Sequence, residues 1–407
     1  MSKIRILAIP SDQYGVGKYR ILDPYKYIGE FYSDDVHVDI SFDVDNTHDV
    51  FSNYDVVVFH TFIHKLPHDV NVERVKWLKS KGIKVIIDID DFWVVDQRHP
   101  MYKTIIKEKI SQKRIELLKL ADYITTTTPI FANTIKKKLN LDNVHVFPNA
   151  VNPDEPQFQP NPSKSEKVRF GWLGGSSHLH DIELMSSGIS NMYDQYKDKV
   201  QFVLCGFDLR GKVTEYDANG NQRKRPILPQ ETIWFKYENI FTNKYRVIDE
   251  QYKQFLLKFV NLPYNDIDKQ YVRKWTQDIT KYAFNYNHFD VSLAPLVESE
   301  FNSNKSQLKV IEAGFHKKAI IASEVKPYTL DLISGYDNCG VNNKGNSLLV
   351  QSRKNHKDWG KMMKRLIENP NMVEDLGNKL YETVKDKYSL KNVSKDRVEF
   401  LKSIINK

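Results

Sequence analysis

The residues best suited to bind an anionic ligand lie in one short stretch. Lys305 and Ser306 directly precede Gln307–Phe315, whose apolar spacing predicts a helix. The first N–H groups of a helix lack partners within it and attract anions, and Lys305 adds positive charge beside them. Lys309 and Glu312, three residues apart, share one helix face. On its own that pair would be an ordinary surface ion pair, but with the preceding loop it indicates a diphosphate cradle followed by a carboxylate for two ribose hydroxyls.

Another group of candidate residues follows the first predicted strand. Gly15 and Gly17 come after Lys3–Pro10, where glycine allows close approach of the backbone to a ligand in front of a helix. Arg20 stands where a dinucleotide-binding GxGxxG fingerprint has its third glycine, and the spacing of a P-loop is absent. The two glycines therefore indicate either a phosphate contact or an ordinary tight turn.

A similar glycine-containing turn opens the second half of the chain. Gly174, Ser177 and His178 offer backbone, hydroxyl and ring donors of the kind that suits a phosphate or a sugar hydroxyl. His178, His180 and Asp181 could also begin a metal site, but no further ligand follows at a zinc-binding spacing. We predict that His178 contacts the ligand and that no metal ion is bound.

Acidic side chains and a histidine end two neighbouring predicted strands. Asp88, Asp90 and Asp91 lie at the end of one of them, and His60 ends the other. In α/β folds such positions face the ligand crevice, and the carboxylates could hold a divalent metal ion against a diphosphate. Solvated turn residues, with Asp91 capping the next segment, are the alternative. His60 is either a general base or acceptor-hydroxyl partner, or a hydrogen-bonded structural histidine.

Strands and helices are predicted to alternate, which places these residues at strand ends. Continuous apolar runs are typical of strands buried on both faces of a parallel sheet. A single long helix is predicted over Tyr102–Leu120. The predicted strands are Lys3–Pro10, Tyr54–His60, Lys84–Ile89, Tyr123–Thr126, Val144–Phe147, Val168–Leu173, Val200–Cys205, Val291–Leu293 and Ala319–Ala322. This pattern predicts an α/β protein with two doubly wound, Rossmann-like domains.

The domain boundaries follow from a proline-rich segment. Residues 151–167, with Pro148 just before them, form the predicted linker between a first domain, 1–150, and a second domain, 168–407. The C-terminal helical tail is free to pack back on the first domain. Residues 207–288 are rich in aromatic side chains and separate two strands by more than a compact βαβ unit needs. We predict an insertion there, beginning with an exposed hairpin or loop, that shapes the acceptor pocket or contacts a membrane-linked acceptor.

Composition limits the classes of protein to consider. The chain has 407 residues, two cysteines and a formal charge of +8. It contains neither a run long enough for a membrane helix nor a recognisable signal peptide. Two cysteines, Cys205 and Cys339, cannot form a disulfide framework, which favours the cytosol. The positive charge favours a polyanionic partner, namely nucleic acid, an anionic membrane face or a phosphorylated small molecule.

The motifs together resemble the retaining glycosyltransferases of family 4 (group 1), which have the GT-B fold. The segments FGWLGGSSHLHD and NKSQLKVIEAGFHKKAIIAS carry the resemblance, and ADYITTTTPIFANTIKKK followed by VHVFPNAVN extends it into the first half. The likeness covers nearly everything except residues 207–288. It implies an enzyme that transfers a sugar from a nucleotide-diphosphate sugar to a glycan, lipid-linked or other hydroxyl acceptor in bacterial surface polysaccharide or glycoconjugate synthesis.

The family's E-x7-E motif implies roles for individual residues. Glu312 matches its second glutamate, which binds ribose, while Asn304 stands in place of the first, which is associated with the donor sugar. The backbone from Ser306 through Gln307 to Leu308 matches the segment whose amides hold the diphosphate.

Further roles are implied outside this motif. Lys305 and Lys309 would take over the positive charge that the family often places after the first strand of its second domain, and they are catalytic candidates with His60 and Asp90. Asp90 stands where the family often has a histidine, and Gly15 and Gly17 match its glycine-rich loop. The family usually needs no metal ion, which makes the aspartates candidates for acceptor contact. The resemblance implies that the protein uses no cofactor, since the nucleotide sugar is its donor substrate.

Two alternatives remain open at this stage. One is a metal-dependent GT-A-type transferase that uses Asp88, Asp90 and Asp91, and the other is a catalytically degenerate protein that binds a nucleotide sugar without turnover. A nucleic-acid partner is not expected, because the basic residues are dispersed and no DNA- or RNA-reading motif is present. The diffuse positive charge is compatible with a peripheral contact at the inner face of the membrane.

Overall fold

The computed structural model describes residues 3–42, 44, 49–63, 66–217, 221–243, 250–257, 269–337, 340–351 and 357–405. Cys339 lies outside these ranges. The chain divides into two compact units. The first unit comprises Met1–Glu155, Glu298–Ile311 and Val384–Lys407, and the second comprises Pro156–Val297 and Glu312–Thr383.

The strands follow one another along the chain with helices between most of them. They are β1 (Ile4–Ile9), β2 (Val36–Ile40), β3 (Val56–His60), β4 (Lys84–Ile89), β5 (Tyr123–Thr126), β6 (Val144–Val146), β7 (Val168–Leu173), β8 (Val200–Phe207), β9 (Lys212–Tyr216), β10 (Gln222–Pro226), β11 (Tyr271–Trp275), β12 (Val291–Ala294), β13 (Ala319–Ser323), β14 (Tyr336–Asp337), β15 (Gly340–Val341) and β16 (Leu348–Val350).

The α-helices are α1 (Gly15–Gly17), α2 (Asp23–Phe31), α3 (His68–Ser80), α4 (Tyr102–Lys107), α5 (Ile110–Leu120), α6 (Pro129–Leu139), α7 (Leu179–Glu183), α8 (Ser186–Gln195), α9 (Ile233–Thr242), α10 (Glu250–Leu257), α11 (Glu300–Ser303), α12 (Leu308–Phe315), α13 (Lys357–Glu368), α14 (Asn371–Val384) and α15 (Leu390–Ile405). None of the helices within the described ranges is both long and apolar enough to cross a membrane.

The first unit is built on a parallel six-stranded sheet in the order β2-β1-β3-β4-β5-β6. Alternate residues of β3 point to opposite faces, and both faces are buried. Val57 and Phe59 pack in one apolar cluster, while Val56 and Val58 pack in another that includes Leu401 of α15. The strand order reverses between β1 and β3, so the segments that follow these two strands flank the usual position of a ligand in such folds.

The second unit is built on a parallel six-stranded sheet in the order β11-β8-β7-β12-β13-β16. Its order reverses between β7 and β12, so the turn after β7 and the segment after β12 flank the equivalent position. Both units therefore have the doubly wound α/β architecture that the sequence predicts.

The aromatic-rich stretch 207–288 contributes to the second sheet as well as to the surface. Strand β11 lies at one edge of the sheet, where it pairs with β8. Helix α9 buries Trp234, Tyr237 and Phe241 in the main core of this unit. Of the two alternatives expected at the start of the stretch, an exposed hairpin or a loop, the structure has the hairpin, formed by the antiparallel pair β9 and β10.

Two local predictions were wrong. The single helix expected over Tyr102–Leu120 is interrupted at Lys109, whose φ of 52° lies in the left-handed region and separates α4 from α5. The loop expected at Gly15 and Gly17 is already helical, since α1 leads directly into a π-helical segment at Lys18–Leu22. Apolar periodicity continues through the region of Lys109 and so does not reveal the interruption there.

Gly17 is required by close packing. A Cβ atom at this position would lie 1.8 Å from the carbonyl oxygen of Asp12, whereas a Cβ atom at Gly15 would meet nothing within 4 Å. The Asp12 carboxylate also accepts hydrogen bonds from the N–H groups of Tyr14 and Gly17, at 2.7 and 3.2 Å. The chain thus folds tightly around Asp12 just after β1.

We expect Gly17→Ala to destabilise the protein by about 1–3 kcal/mol, the usual cost of forcing extra volume into a packed site. Gly15→Ala is the matched control and should be neutral or stabilise by up to about 1 kcal/mol, because alanine favours helix and has room there. Denaturant unfolding followed by circular dichroism measures both changes. Equal stability of the two variants would contradict the packing role of Gly17.

Candidate functional site

His60 and Asp90 form a pair at the carboxyl ends of two adjacent strands of the first unit. Residue His60 lies opposite Asp88 in the register of β3 and β4, which brings Asp90 within reach of the histidine ring. The His60 Nε2 and Asp90 Oδ1 atoms are 2.9 Å apart, and the side chain of Asp90 is 20% exposed whereas that of His60 is 8% exposed. Asp90 is therefore the partner more accessible to a ligand.

The surroundings of the pair favour the charged forms of both His60 and Asp90. Burial lowers the pKa of His60, but the charge of Asp90 and the hydrogen bond to it outweigh this and raise the pKa above its usual range. Burial also opposes ionisation of Asp90, and His60, Arg20 and Arg114 overcome it and lower the pKa of Asp90 to about 2. A carboxylate of such low basicity is a weak general base but a strong acceptor for a sugar hydroxyl.

Asp88 does not belong to this pair and is not arranged to coordinate a metal ion. Its carboxylate is fully buried and accepts two hydrogen bonds from Arg20, at 2.9 and 2.7 Å, and one from the Thr125 hydroxyl at 2.5 Å. The predicted cluster of three ligand-facing aspartates is thus wrong, because its first member is part of the buried structure. Within the described ranges, no group of three or more His, Cys, Asp or Glu side chains is placed to hold a metal ion.

Lys305 lies near Asp91 in the first unit. Burial raises the pKa of Asp91, and the positive charge of Lys305 opposes that rise. The Lys305 ammonium lies 4.8 Å from the centre of the Phe301 ring, and His99 contacts the same ring edge-on. The lysine is held above an aromatic face, where an ammonium ion is stabilised by the ring electrons.

The residues just before α12 are fixed by side-chain hydrogen bonds within the first unit. The Ser306 hydroxyl accepts a hydrogen bond from the Asn149 amide at 3.0 Å, and the Gln307 amide donates to the Tyr388 hydroxyl at 2.7 Å. Asn304 is buried, and its amide donates to the Glu300 carbonyl at 2.7 Å. Asn304 therefore stabilises the turn after α11.

Helix α12 continues from these residues, with Leu308 as its first residue and Lys309 partly buried. The boundary between the two units falls within this helix, between Ile311 and Glu312. Glu312 therefore belongs to the second unit.

Glu312 is 4% exposed and is held by two tyrosines. The hydroxyl groups of Tyr282 and Tyr286 each donate to one of its two carboxylate oxygens. Burial and the charge of Glu312 raise the pKa of Tyr286 well above its usual range, so that its hydroxyl remains a donor. The two tyrosines therefore hold the Glu312 carboxylate in one orientation.

The turn after β7 is fixed by a tyrosine from the aromatic-rich stretch. The Tyr237 hydroxyl accepts a hydrogen bond from the His178 N–H at 2.8 Å and lies 3.4 Å from the Gly175 carbonyl oxygen. The His178 ring is 2.7 Å from the Asp181 carboxylate, which also accepts the Val297 N–H at 2.7 Å. Asp181 thus joins the turn after β7 to the segment after β12. Gly174 is partly buried, whereas Ser177 is exposed.

Several residues of these sites are not recognisable from the sequence. These are Arg20, Arg114, Asn149, Tyr282 and Tyr286, and each lies 23 or more residues along the chain from the candidate residue that it contacts or influences. Of these residues, only Arg20 has a sequence feature that marks it. It lies three residues after Gly17, where a dinucleotide-binding motif has its third glycine.

Comparison with known proteins shows the fold. No protein-family model and no curated protein matches the sequence. Among solved structures, HepE from Anabaena in complex with UDP superimposes with a TM-score of 0.59 over 99% of this chain and 100% of that chain, at 10% sequence identity.

Two further solved structures are similar. One is a variant of TarM from S. aureus in complex with fondaparinux, alpha-GlcNAc-glycerol and UDP. It superimposes with a TM-score of 0.52 at 13% sequence identity, over 84% of this chain and 54% of that chain. A UDP-forming trehalose-phosphate synthase from Burkholderia xenovorans superimposes with a TM-score of 0.51 at 10% sequence identity, over 87% of this chain and 75% of that chain. These are GT-B glycosyltransferases, and this chain has the GT-B fold. The GT-A-type alternative is therefore wrong.

The charge state of the His60–Asp90 pair predicts a pH-dependent contribution to stability. The pKa of His60 is raised in the folded protein. The pair therefore stabilises the fold fully at pH values below the pKa of an unfolded histidine, about 6.5, and this stabilisation is lost as pH rises through the pKa of His60 in the folded protein. We expect His60→Gln to lower the free energy of unfolding by about 2 kcal/mol at pH 6 and by less at pH 9.

Denaturant unfolding at the two pH values measures this difference. The matched control is His37→Gln, because His37 forms an equivalent pair with Asp39 whose side chains are 54% and 46% exposed and are therefore well screened by solvent. The same loss at pH 6 and pH 9 in His60→Gln would show that the native His60 is uncharged.

Proposed function

We propose that this protein is a retaining glycosyltransferase that moves a sugar from a nucleotide-diphosphate sugar to a hydroxyl of a glycan, lipid-linked or other acceptor, in bacterial surface polysaccharide or glycoconjugate synthesis. The observation that carries the proposal is the buried Glu312 carboxylate, which two tyrosine hydroxyls orient on the helix that begins directly after Lys305, Ser306 and Gln307. Ribose hydroxyls would donate to this carboxylate, since a carboxylate oxygen accepts more than one hydrogen bond.

The diphosphate of the donor would lie at the start of α12. Lys305 and Lys309 supply positive charge, and the backbone N–H groups from Ser306 to Leu308 supply donors at the start of the helix. When the bond between the sugar and the diphosphate breaks, negative charge develops on the diphosphate, and such prepositioned donors stabilise it. UDP is the first nucleotide to test, because the solved structures with the same fold contain UDP or belong to a UDP-forming enzyme.

The acceptor would be bound at the strand ends of the first unit. Asp90 is held as an anion by His60 and accepts a hydrogen bond from an acceptor hydroxyl. With a pKa of about 2, it orients this hydroxyl and does not remove its proton to any useful extent.

The retaining stereochemistry and the lack of a metal requirement rest on the resemblance to family 4. Both are properties of the reaction, so the test is to analyse the product of transfer in the presence of EDTA.

A catalytically inactive nucleotide-sugar-binding protein is the second candidate. Asn304 replaces the first glutamate of the motif, and its amide is engaged with the Glu300 carbonyl. This arrangement favours a role in the turn over a role in holding the donor sugar. Binding of a nucleotide sugar without turnover would support this candidate.

We expect a panel of nucleotide sugars to include at least one that raises the melting temperature, because a ligand bound only by the folded state stabilises it. The same donor, incubated with candidate acceptors in EDTA, should give a product whose new glycosidic bond keeps the anomeric configuration of the donor. Proton NMR of the product measures that configuration. An inverted bond would contradict the retaining mechanism, and loss of transfer in EDTA would contradict metal independence.

Glu312→Gln tests the ribose contact. We expect the wild-type protein to bind 2′-deoxy-UDP about tenfold more weakly than UDP, since a lost hydrogen bond to a charged group has roughly this effect. In Glu312→Gln this ratio should fall towards one. Isothermal titration calorimetry measures both affinities, and their ratio is insensitive to a small loss of folded protein.

The control for this experiment is Glu374→Gln. Glu374 is exposed on α14 of the same unit, so its replacement should leave the ratio as in the wild type. Unchanged discrimination in Glu312→Gln would show that Glu312 does not contact the ribose.

A further inference from the structure

A chain of hydrogen bonds leads from a buried carboxylate to Ser306 within the first unit. It begins at Asp88, whose two carboxylate oxygens accept from Nε and Nη2 of Arg20 at 2.9 and 2.7 Å. Both side chains are completely buried. The guanidinium is therefore held in one position by two parallel bonds, the most specific geometry that an arginine and a carboxylate can form.

Arg20 determines how the Asn149 amide is oriented. Its Nη1 atom donates to the Phe147 carbonyl at 2.7 Å and to the Asn149 Oδ1 atom at 3.1 Å. Arginine has donors and no acceptor, so Asn149 must present its oxygen to Arg20. The NH₂ group of Asn149 consequently faces Ser306, where it donates to the hydroxyl oxygen at 3.0 Å.

This orientation determines the direction of the Ser306 hydroxyl. A hydroxyl group has one proton to donate and accepts through its oxygen. Because the oxygen accepts from Asn149, the proton points away from it, and among the described residues the hydroxyl donates to no protein acceptor. Ser306 is only partly buried and is the neighbour of Lys305. The hydroxyl can therefore donate to an acceptor-only ligand, and the adjacent residue in the chain carries a positive charge.

We propose that Arg20 and Asn149 are positioning residues that fix Ser306 as a hydrogen-bond donor to a phosphate oxygen of the nucleotide diphosphate. This inference rests on the proposed function and adds to it a side-chain donor whose direction is set by residues that do not touch the ligand. Phosphate oxygens at neutral pH only accept hydrogen bonds. A serine free to rotate would spend part of its time with its oxygen facing them, and the bond from Asn149 prevents this.

Asn149→Asp tests the direction of the chain with almost no change in size. A carboxylate at position 149 still accepts from Arg20, but it also accepts from Ser306 and draws the hydroxyl proton away from the ligand. We expect the Kd for UDP to rise about ten- to hundredfold, the range for losing a hydrogen bond to a charged group. The Kd for uridine, which lacks phosphates, should stay within about twofold, and the ³¹P signals of bound UDP should shift.

The double variant Asn149→Asp with Ser306→Ala separates this effect from simple charge repulsion. If Asn149 acts through the Ser306 hydroxyl, Asn149→Asp weakens UDP binding strongly in the wild-type background and by no more than about threefold in the Ser306→Ala background. An equal factor in both backgrounds would overturn the inference, because it would assign the effect to the new charge alone. Isothermal titration calorimetry gives all four affinities.

Two more outcomes are informative. Asn149→Ala removes the donor without reversing the direction of the hydrogen bonds, so we expect a smaller rise in the Kd for UDP, about threefold. This variant also serves as the test if Asn149→Asp does not fold.

Parallel loss of UDP and uridine binding in both Asn149 variants would overturn the inference in favour of a purely structural role. A wild-type protein that binds no nucleoside diphosphate would contradict the proposed function itself, whereas wild-type binding with unchanged affinity in Asn149→Asp would contradict only the positioning role.

Discussion

The ion pair between Arg20 and Asp88 is the interaction on which the first unit's candidate site depends. Removing two charges from water is expensive, and the cost is offset only when the remaining donors and acceptors are also satisfied. Here Thr125, the Phe147 carbonyl and Asn149 complete the set. The pair therefore ties the segment after β1 to β4, β5 and the residues after β6, and it sets the geometry at the strand ends where Asp90 and Ser306 lie.

The architecture could be predicted from the sequence because it is encoded locally. Runs rich in apolar and β-branched residues predicted β4 and β5 with their observed bounds and β3 to within two residues, because strands buried on both faces of a parallel sheet are rich in such residues. Helix ends were predicted less well. The interruption at Lys109 depends on a single residue with φ of 52°, and no proline or glycine in the sequence marks it.

Predicting the candidate site from the sequence succeeded for position and failed for pairing. His60, Asp90 and Asp88 were all predicted at strand ends, which is where they lie. The sequence could not show that Asp88 faces Arg20, 68 residues away, while Asp90 faces His60, 30 residues away. Side chains on consecutive strands meet according to register, and register depends on packing across the whole sheet. The tyrosines at Glu312 were missed because they lie in a separate helical segment, 30 and 26 residues before it, whose packing against α12 the sequence does not show.

The aromatic-rich stretch has a structural explanation that its composition does not reveal. Tyr237 fixes the turn after β7, and Trp234 packs against Gly206. Gly206 has a φ of 99°, and a Cβ atom there would approach the Gly174 carbonyl to 3.0 Å, so glycine is needed where β8 passes this turn. Most of the stretch's described aromatic side chains are therefore accounted for by the core and by the shape of a candidate ligand-binding turn. Among the described residues of the stretch, the hairpin of β9 and β10, whose second strand is largely exposed, is one part that is accessible to a membrane or an acceptor.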